Sequence, residues 1–436
     1  MKRLRNKLAC MDVHTLEVLN GAGLAFVLRG LGAGFAFALN VVIGRLLGAE
    51  GAGLYFLALA VTSIGAVVAR LGLDNTLLRF VAAGAAQKDW GQVKGVFALG
   101  MKLAGAASLA LSLVCLAIAP WLSETVFREP ELASPLRWMS LGIFTFSMMT
   151  LLSEALKGLK RIRNSMLVSG VLYPLGALIL VWPLIILMGP AGAGLAYVLG
   201  TTLAAGLGLL YWQRATSEQL APATPFSREI LWASSRPLWM TMIINRAILP
   251  WLPLFLLGIW GTTEEAGIFG AATRIVMLVS FFLVAVNTIM APKVAELYAH
   301  GDIHLIRHVV RKFSFLITIA SSPLFILLIV KGDFVMGLFG QAFTDGGDVL
   351  AILAFGHAVT AVTGLAGFIL MMAGYERDVW TSSLFGVAAL IALSLALIPA
   401  QGMTGAAIAS ATALAVANAV SAYLAWHRLR VNVLPF

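Results

Sequence analysis

Three arginines, Arg29, Arg246 and Arg274, lie about nine or ten residues deep in long apolar stretches, roughly 13 Å inside at a rise of 1.5 Å per residue. A charge held that deep in hydrocarbon costs roughly 2.5 to 3.5 kcal/mol, so each needs a compensating partner. A guanidinium keeps its charge at any relevant pH and grips phosphate oxygens through a two-pronged fork of N–H donors. Together the three predict an anion site suited to phosphate or pyrophosphate. The competing explanation is that they snorkel to an interface or cap carbonyls of neighbouring helices. Lys102, nearer a helix end and on a flexible stem, fits snorkelling better.

Acids are missing from the same depths. The 20 Asp and Glu residues fall in loops or at helix ends, and a site for organic cations, or one coupled to protons through a carboxylate, usually needs a buried acid. A cationic substrate is therefore disfavoured. His357 could titrate near neutrality, although a lone membrane histidine more often bonds a neighbouring helix. Asn40, Asn245, Asn287 and Asn418 either line a hydrophilic cavity or join helices at about 1 kcal/mol apiece. Asp74 and Arg79 follow the second apolar stretch, while Glu154, Lys157 and Arg161 flank the end of the fourth. These are candidates to pair across the mouth of a cleft and gate it; solvated ion pairs worth under about 1 kcal/mol are the alternative.

The elements that must position these groups are membrane helices. A mean hydropathy of +0.93, with 60% hydrophobic and 11% charged residues, leaves too little polar surface to coat a soluble domain. A helix needs about 20 apolar residues to cross a core of about 30 Å. Twelve stretches qualify: 20–43, 52–73, 94–119, 136–156, 166–188, 192–213, 236–259, 265–290, 311–330, 348–372, 380–398 and 403–426. Of the 30 Lys and Arg, 22 fall on one side of this alternation, four on the other and four within spans. That asymmetry supports an even number of spans with both termini cytoplasmic, so the charge of +10 reads as topology rather than nucleic-acid binding. The segments near 74–93, 214–235 and 291–310 are mixed in character and predict interfacial helices. Pro250 and Pro253 predict a kink beside Arg246.

A duplication organises the chain. Gly48 answers Gly261, Gly53 answers Gly267, Gly189 and Gly192 answer Gly402 and Gly405, and Trp212-Gln-Arg214 answers Trp426-His-Arg428, all at offsets of 213 or 214. Six spans separate equivalent points, so two lobes share one orientation around an axis along the membrane normal, with a cleft between them. The lobes run 1–213 and 236–436, joined by a linker over 214–235. Arg29 maps to about position 243, close to Arg246, so the first helix of each lobe offers an arginine to the cleft.

Other chemistry is excluded by motif. No GxxxxGK[ST] loop, HExxH, CxxC or His/Cys cluster occurs, which rules out an intrinsic nucleotide-driven pump and gives no metal or cofactor site. Cys10 and Cys115 fall in different environments, and a disulfide is not expected.

The run Arg29-Gly-Leu-Gly through Asn40, then Arg45-Leu-Leu-Gly-Ala-Glu-Gly-Ala-Gly-Leu-Tyr55, and Arg70-Leu-Gly-Leu-Asp-Asn-Thr-Leu-Leu-Arg79-Phe resemble bacterial polysaccharide-export flippases of the O-antigen type. That family shares a superfamily with lipid II flippases and the multidrug exporters called MATE. The resemblance implies an all-helical membrane protein of two six-helix lobes forming a V, resident in the cytoplasmic membrane, with no cofactor and no enzymatic reaction. It implies alternating access that moves an undecaprenyl-pyrophosphate-linked oligosaccharide to the outer leaflet, amid membrane lipids and alongside other polysaccharide-assembly membrane proteins. Arg29 and Arg246 look like the first-helix and seventh-helix arginines of lipid II flippases. Gly30 stands where those have an acid, which favours another lipid-linked sugar. A multidrug antiporter would need buried carboxylates, and a polymerase or ligase would need a large outer loop.

Overall fold

The computed structural model describes residues 13–217, 219, 221–279 and 303–430, and among these helix dominates and no strand occurs. Hydrocarbon offers no partner to backbone N–H and C=O groups, so apolar runs this long must satisfy them internally, as a helix does. In chain order the helices are α1 (Val13–Ala69), α2 (Leu73–Ala86), α3 (Trp90–Val126), α4 (Pro130–Gly158), α5 (Ile162–Met188), α6 (Pro190–Thr216) and α7 (Arg228–Trp260). They continue with α8 (263–279), α9 (Ile303–Val330), α10 (Gly347–Thr363), α11 (Leu365–Met372) and α12 (Glu376–Leu429). Local chemistry starts several of them. The Asp89 side chain caps α3 by accepting from the Gln92 N–H at 2.9 Å, and Thr262 and Glu265 form a reciprocal capping box on α8 at 3.0 and 3.1 Å.

Among the described residues nine helices are long and apolar enough to cross a membrane. Two of them are folded back. The apolar part of α1 is 43 residues long and α12 is 54, each enough for two passes at about 20 residues apiece. α1 turns at Gly48 (φ 68°, ψ −174°) and α12 at Gly402 (φ 53°, ψ −130°), backbone conformations that side chains with a Cβ resist. The expected spans 20–43 and 52–73 are thus the two arms of α1, and 380–398 and 403–426 those of α12. The full count of twelve is not established, because α8 is described only to residue 279.

The duplication is written into backbone geometry. Gly189, between α5 and α6, has φ 59° and ψ −137°, nearly the angles of Gly402. Just beyond each turn, Gly192 presses on the carbonyl of Leu184 and Gly405 on that of Leu397, the same contact 213 residues apart. A Cβ on Gly53 would strike the Thr263 carbonyl, and one on Gly267 the Ala49 carbonyl. These reciprocal contacts, 214 residues apart, place the pseudo-twofold axis where α1 crosses α8 with backbones touching, an approach that only small residues permit.

Around this crossing one end of the bundle is sealed. The Phe37 ring meets Phe339 edge-on at 5.6 Å, Gly44 lies under Phe339 and Phe343, and the Arg45 Nε donates to the Leu338 carbonyl at 2.8 Å. At the opposite end α1 leaves through Leu71 and Gly72, both left-handed (φ 54° and 72°), and Gly72 abuts the backbone of Ser235 and Trp239. The Trp239 Nε1 donates to the Val68 carbonyl at 3.0 Å. The expected interfacial segments differ from one another. Region 74–93 contains α2, whereas in 214–235 the stretch 221–227, tied to α3 by the Thr224 N–H on the Gly91 carbonyl at 3.1 Å, is non-helical and Arg228 already opens α7; of 291–310, residues 303–310 begin α9 and the rest lies outside the described residues. Inside α7, Ile243–Ile248 is a wide π-turn followed by Pro250 and Pro253. Proline at 250 cannot donate to the carbonyl of residue 246, so the ladder is already open where the turn widens.

Candidate functional site

Behind the sealed end lies a cavity of about 380 Å³, within the range of small-molecule sites. The first arm of α1 supplies one wall: Arg29, Ala33, Ala36, Phe37 and Asn40 line it. Arg29 and Asn40 are eleven residues apart, close to three full turns of 3.6, so they share one face about 16 Å apart along the axis. Ala33 and Ala36 between them leave the groove open. Exposure falls along this stripe, from Arg29, exposed, through Ala33 and Phe37, half-buried, to Asn40, buried. The cavity therefore opens at the Arg29 end.

The opposite wall comes from six other segments. The second arm of α1 gives Tyr55, Leu59 and Ser63; α4, α5 and α6 give Phe146, Tyr173 and Tyr197; α7 gives Trp251; and α8 gives Arg274 with Met277 and Leu278. Arg274 sits one turn beyond Gly270, onto which the Phe56 ring folds. Its guanidinium carbon lies 5.7 Å from the Phe56 ring centre and 4.8 Å from that of Trp251. The Met277 sulfur at 3.6 Å is its hydrogen-bond partner. Two ring faces and a thioether hold a cation in place by cation–π attraction without neutralising it. No Asp or Glu lines the cavity, and among the described residues neither Arg29 nor Arg274 forms an ion pair. Positive charge that no described carboxylate pairs with, in a largely apolar cleft open at one end, favours an anionic occupant.

The structure thus gathers Arg29, Arg274 and Asn40 at one cavity and leaves Arg246 and Asn245 outside its lining. Both of the latter are exposed on the π-turn, whose extra residue per turn rotates the remainder of α7 away from the facing predicted by a regular helix. Asn245 donates to the Thr241 carbonyl at 3.0 Å and accepts from Ser383 at 3.3 Å. Asn418 bridges α12 to α10 through Thr360 at 3.0 Å. Asn287 lies outside the described residues. Among the gate candidates, Asp74 pairs with Arg70 at 2.9 Å, both buried, and Glu154 pairs with Lys157 at 2.6 Å. Arg79 instead reaches across to Ser234 on α7 at 3.0 Å, and Arg161 is exposed. Cys115 is buried and free.

Sequence reasoning missed the aromatic wall. The chain has seven tyrosines and three of them, Tyr55, Tyr173 and Tyr197, meet at one cavity. A hydroxyl buried in a membrane helix needs a reason as much as a charge does, and that was the available signal.

The chain is similar to several known proteins. A family model described as polysaccharide biosynthesis protein matches residues 18–297. The stage V sporulation protein B of Bacillus subtilis is 30% identical over 119 residues, 27% of this chain and 22% of that protein. A probable low-salt glycan biosynthesis flippase of Haloferax volcanii, Agl15, is 26% identical over 174 residues, 40% of this chain and 37% of that one. The matched stretches span well under half the length of these curated relatives. Among solved structures, an inward-facing multidrug resistance MATE transporter of the MOP superfamily superposes with a TM-score of 0.75 at 16% identity, covering 94% of this chain and 98% of that one. A MOP superfamily transporter from Pyrococcus furiosus, described by the reverse polarity of its binding pocket, gives 0.67 at 17% identity over 94% and 95%. At these identities the likeness establishes the two-lobed, MATE-like fold.

Proposed function

The chain belongs to the polysaccharide biosynthesis protein family, and from that premise we propose that it is a flippase for an anionic, polyprenyl-pyrophosphate-linked oligosaccharide, moved from the cytoplasmic to the outer leaflet. The observation that carries this reading is the pair of cations, Arg29 and Arg274, at a cavity that no described carboxylate lines and in no ion pair among the described residues. A pyrophosphate-bearing headgroup would cost many kcal/mol to bare in hydrocarbon. A cleft with two guanidinium groups lowers that barrier, while the polyprenyl chain remains in lipid. The lobes are taken as 1–213 and 236–436, joined by the linker 214–235. With both termini cytoplasmic, as the charge asymmetry supports, the sealed Gly53–Gly267 end faces outward and the cavity opens at Arg29 toward the cytoplasm, where the substrate is made. Translocation then requires the seal to open and the Arg29 end to close behind the headgroup, the alternating access available to two rigid lobes around a shared cleft. This work is transport and needs no reaction of the chain's own.

A multidrug cation exporter of the same fold is the natural rival, but it would place cations against cations. Reconstitution separates the two. Proteoliposomes containing the protein are expected to move a fluorescent polyprenyl-pyrophosphate-linked oligosaccharide between leaflets and to leave a lipophilic cationic dye where it was. Dye transport without lipid movement would overturn the proposal.

A further inference from the structure

Among the described residues, five polar groups bordering the cavity have no hydrogen-bond partner. The Asn40 amide is oriented by its own helix, since its Nδ2 must be the atom that donates to the Ala36 carbonyl at 2.6 Å. That fixes the opposite atom, Oδ1, as an acceptor; it is fully buried and unpaired on a side chain 7% exposed. The hydroxyls of Tyr55, Tyr173, Tyr197 and Ser63 border the same space, and among the described residues no hydrogen bond engages any of them. Buried polar groups are almost always paired, because leaving one unmade forfeits its bonds to water. Asn40 Oδ1 is the one among them that is fully buried, and with four hydroxyl side chains bordering the cavity beside it the place is suited to an occupant that pairs them.

The arrangement also states what the occupant must carry. An amide oxygen can only accept, whereas phenol and serine hydroxyls both donate and accept, so the ligand presents several hydroxyl or N–H groups. Between these groups stand aromatic faces: Tyr173 and Tyr197 are 6.4 Å apart edge to face, and Phe146 packs 6.4 and 6.2 Å from them. Alternating hydroxyl and apolar ring surfaces complement a sugar, with its polar rim and C–H faces. Arg29 stands at the cavity mouth, eleven residues from Asn40, whereas Arg274 lies deeper, against Phe56 and Trp251 and within electrostatic reach of Tyr55, Tyr173 and Tyr197.

Resting on the flippase reading above, we infer that the deep end, built by Asn40, Ser63, Tyr55, Tyr173 and Tyr197, is a subsite for the first sugar of the lipid-linked glycan, with the pyrophosphate held on its mouth side between Arg274 and Arg29. The substrate enters sugar first, and the sugar reaches the sealed end before the lipid is committed. Binding strength thus depends on glycosylation as well as charge.

The test compares two probes, bare polyprenyl pyrophosphate and the same lipid bearing one hexose, by native mass spectrometry of the purified full chain. The glycosylated probe is expected to bind about tenfold more tightly. In Asn40→Leu, and in Tyr173→Phe combined with Tyr197→Phe, the ratio is expected to fall toward one. In Arg29→Gln both probes weaken and the ratio persists. Thermal unfolding in detergent checks that each variant is folded, and the Tyr→Phe changes keep the ring packing. If the bare lipid binds but the sugar adds nothing, or if the ratio survives these substitutions, the sugar subsite is wrong and the flippase reading stands. If neither probe binds the parent protein, both fall.

Discussion

Gly189 and Gly402 turn the chain with nearly equal angles, and Gly192 and Gly405 press on the carbonyls of Leu184 and Leu397 at the same offset. The cavity walls built on those shared turns are unlike. At the 214-residue offset that relates Gly53 to Gly267, Arg274 answers Ala60, Tyr173 answers Val387, and Asn40 answers Leu254. Among the described residues the N-terminal half supplies most of the polar lining, and the C-terminal half supplies Arg274, the Trp251 ring on which it rests, Met277 and Leu278. Duplication preserved the devices that reverse and cross helices, since these depend on backbone approach, and left side chains facing the cleft free to diverge. The asymmetry means that a ligand is held mainly by one lobe while the other carries the closing charge, which lets a rigid-body movement change the fit.

The comparison breaks most severely at the axis itself. Gly267→Leu would drive a side chain into the Ala49 carbonyl, so the sealed end cannot form. In a chain with Cys10 and Cys115 replaced by serine, a cysteine at Ala52, which is fully buried, should change from unreactive to labelled by an impermeant maleimide. Transport should drop by more than about tenfold. Retained protection of Ala52→Cys would show that the glycine crossing is not the seal.

A smaller effect distinguishes the matching turns. Alanine at Gly189 or Gly402 meets the same backbone strain, roughly 1–3 kcal/mol. At Gly402 the added Cβ also collides with the Glu265 carboxylate, which accepts from the Met403 N–H at 3.3 Å; nothing crowds Gly189. Thermal unfolding in detergent should therefore fall for both variants, and further for Gly402→Ala. Equal losses would mean that the Glu265 contact contributes nothing.

The smallest effect lies in the connection between α3 and α4. Burial, then Glu131, then Glu50 push the Glu129 carboxyl above its ordinary range. A group whose pKa is raised on folding favours the fold below its unfolded pKa, and that contribution is lost as pH rises through the folded one. Glu129→Gln should flatten the pH dependence of unfolding just above the usual carboxylate range and leave it unchanged at higher pH. A profile identical to the parent's would discount the cluster.

Much of this organisation was legible beforehand. Long apolar runs dictated membrane helices, glycines at a steady offset dictated the duplication, and depth marked Arg29 and Arg274 as residues needing a reason. Facing was not legible. Helices that are apolar all round carry no stripe to say which side looks inward, so the tyrosines of α5 and α6 could not be aimed at a cavity from spacing. Arg246 illustrates the other limit. Its depth and its near-coincidence with the repeat of Arg29 suggested a matched pair, but a π-turn opened by Pro250 changes the register at that point, and no regular periodicity foretells it. Asp74 and Glu154 similarly found Arg70 and Lys157 within their own half, because a neighbour three or four residues away on a helix is nearer than any group across the cleft.

The central claim is that the cations of one asymmetric cavity carry the pyrophosphate, and translocation in proteoliposomes tests it with three neutralised variants side by side. Arg29→Gln and Arg274→Gln should each slow movement of a polyprenyl-pyrophosphate-linked oligosaccharide by about tenfold or more, whereas Arg246→Gln should remain within about twofold of the parent protein. Full transport by Arg29→Gln and Arg274→Gln, with loss confined to Arg246→Gln, would contradict the account.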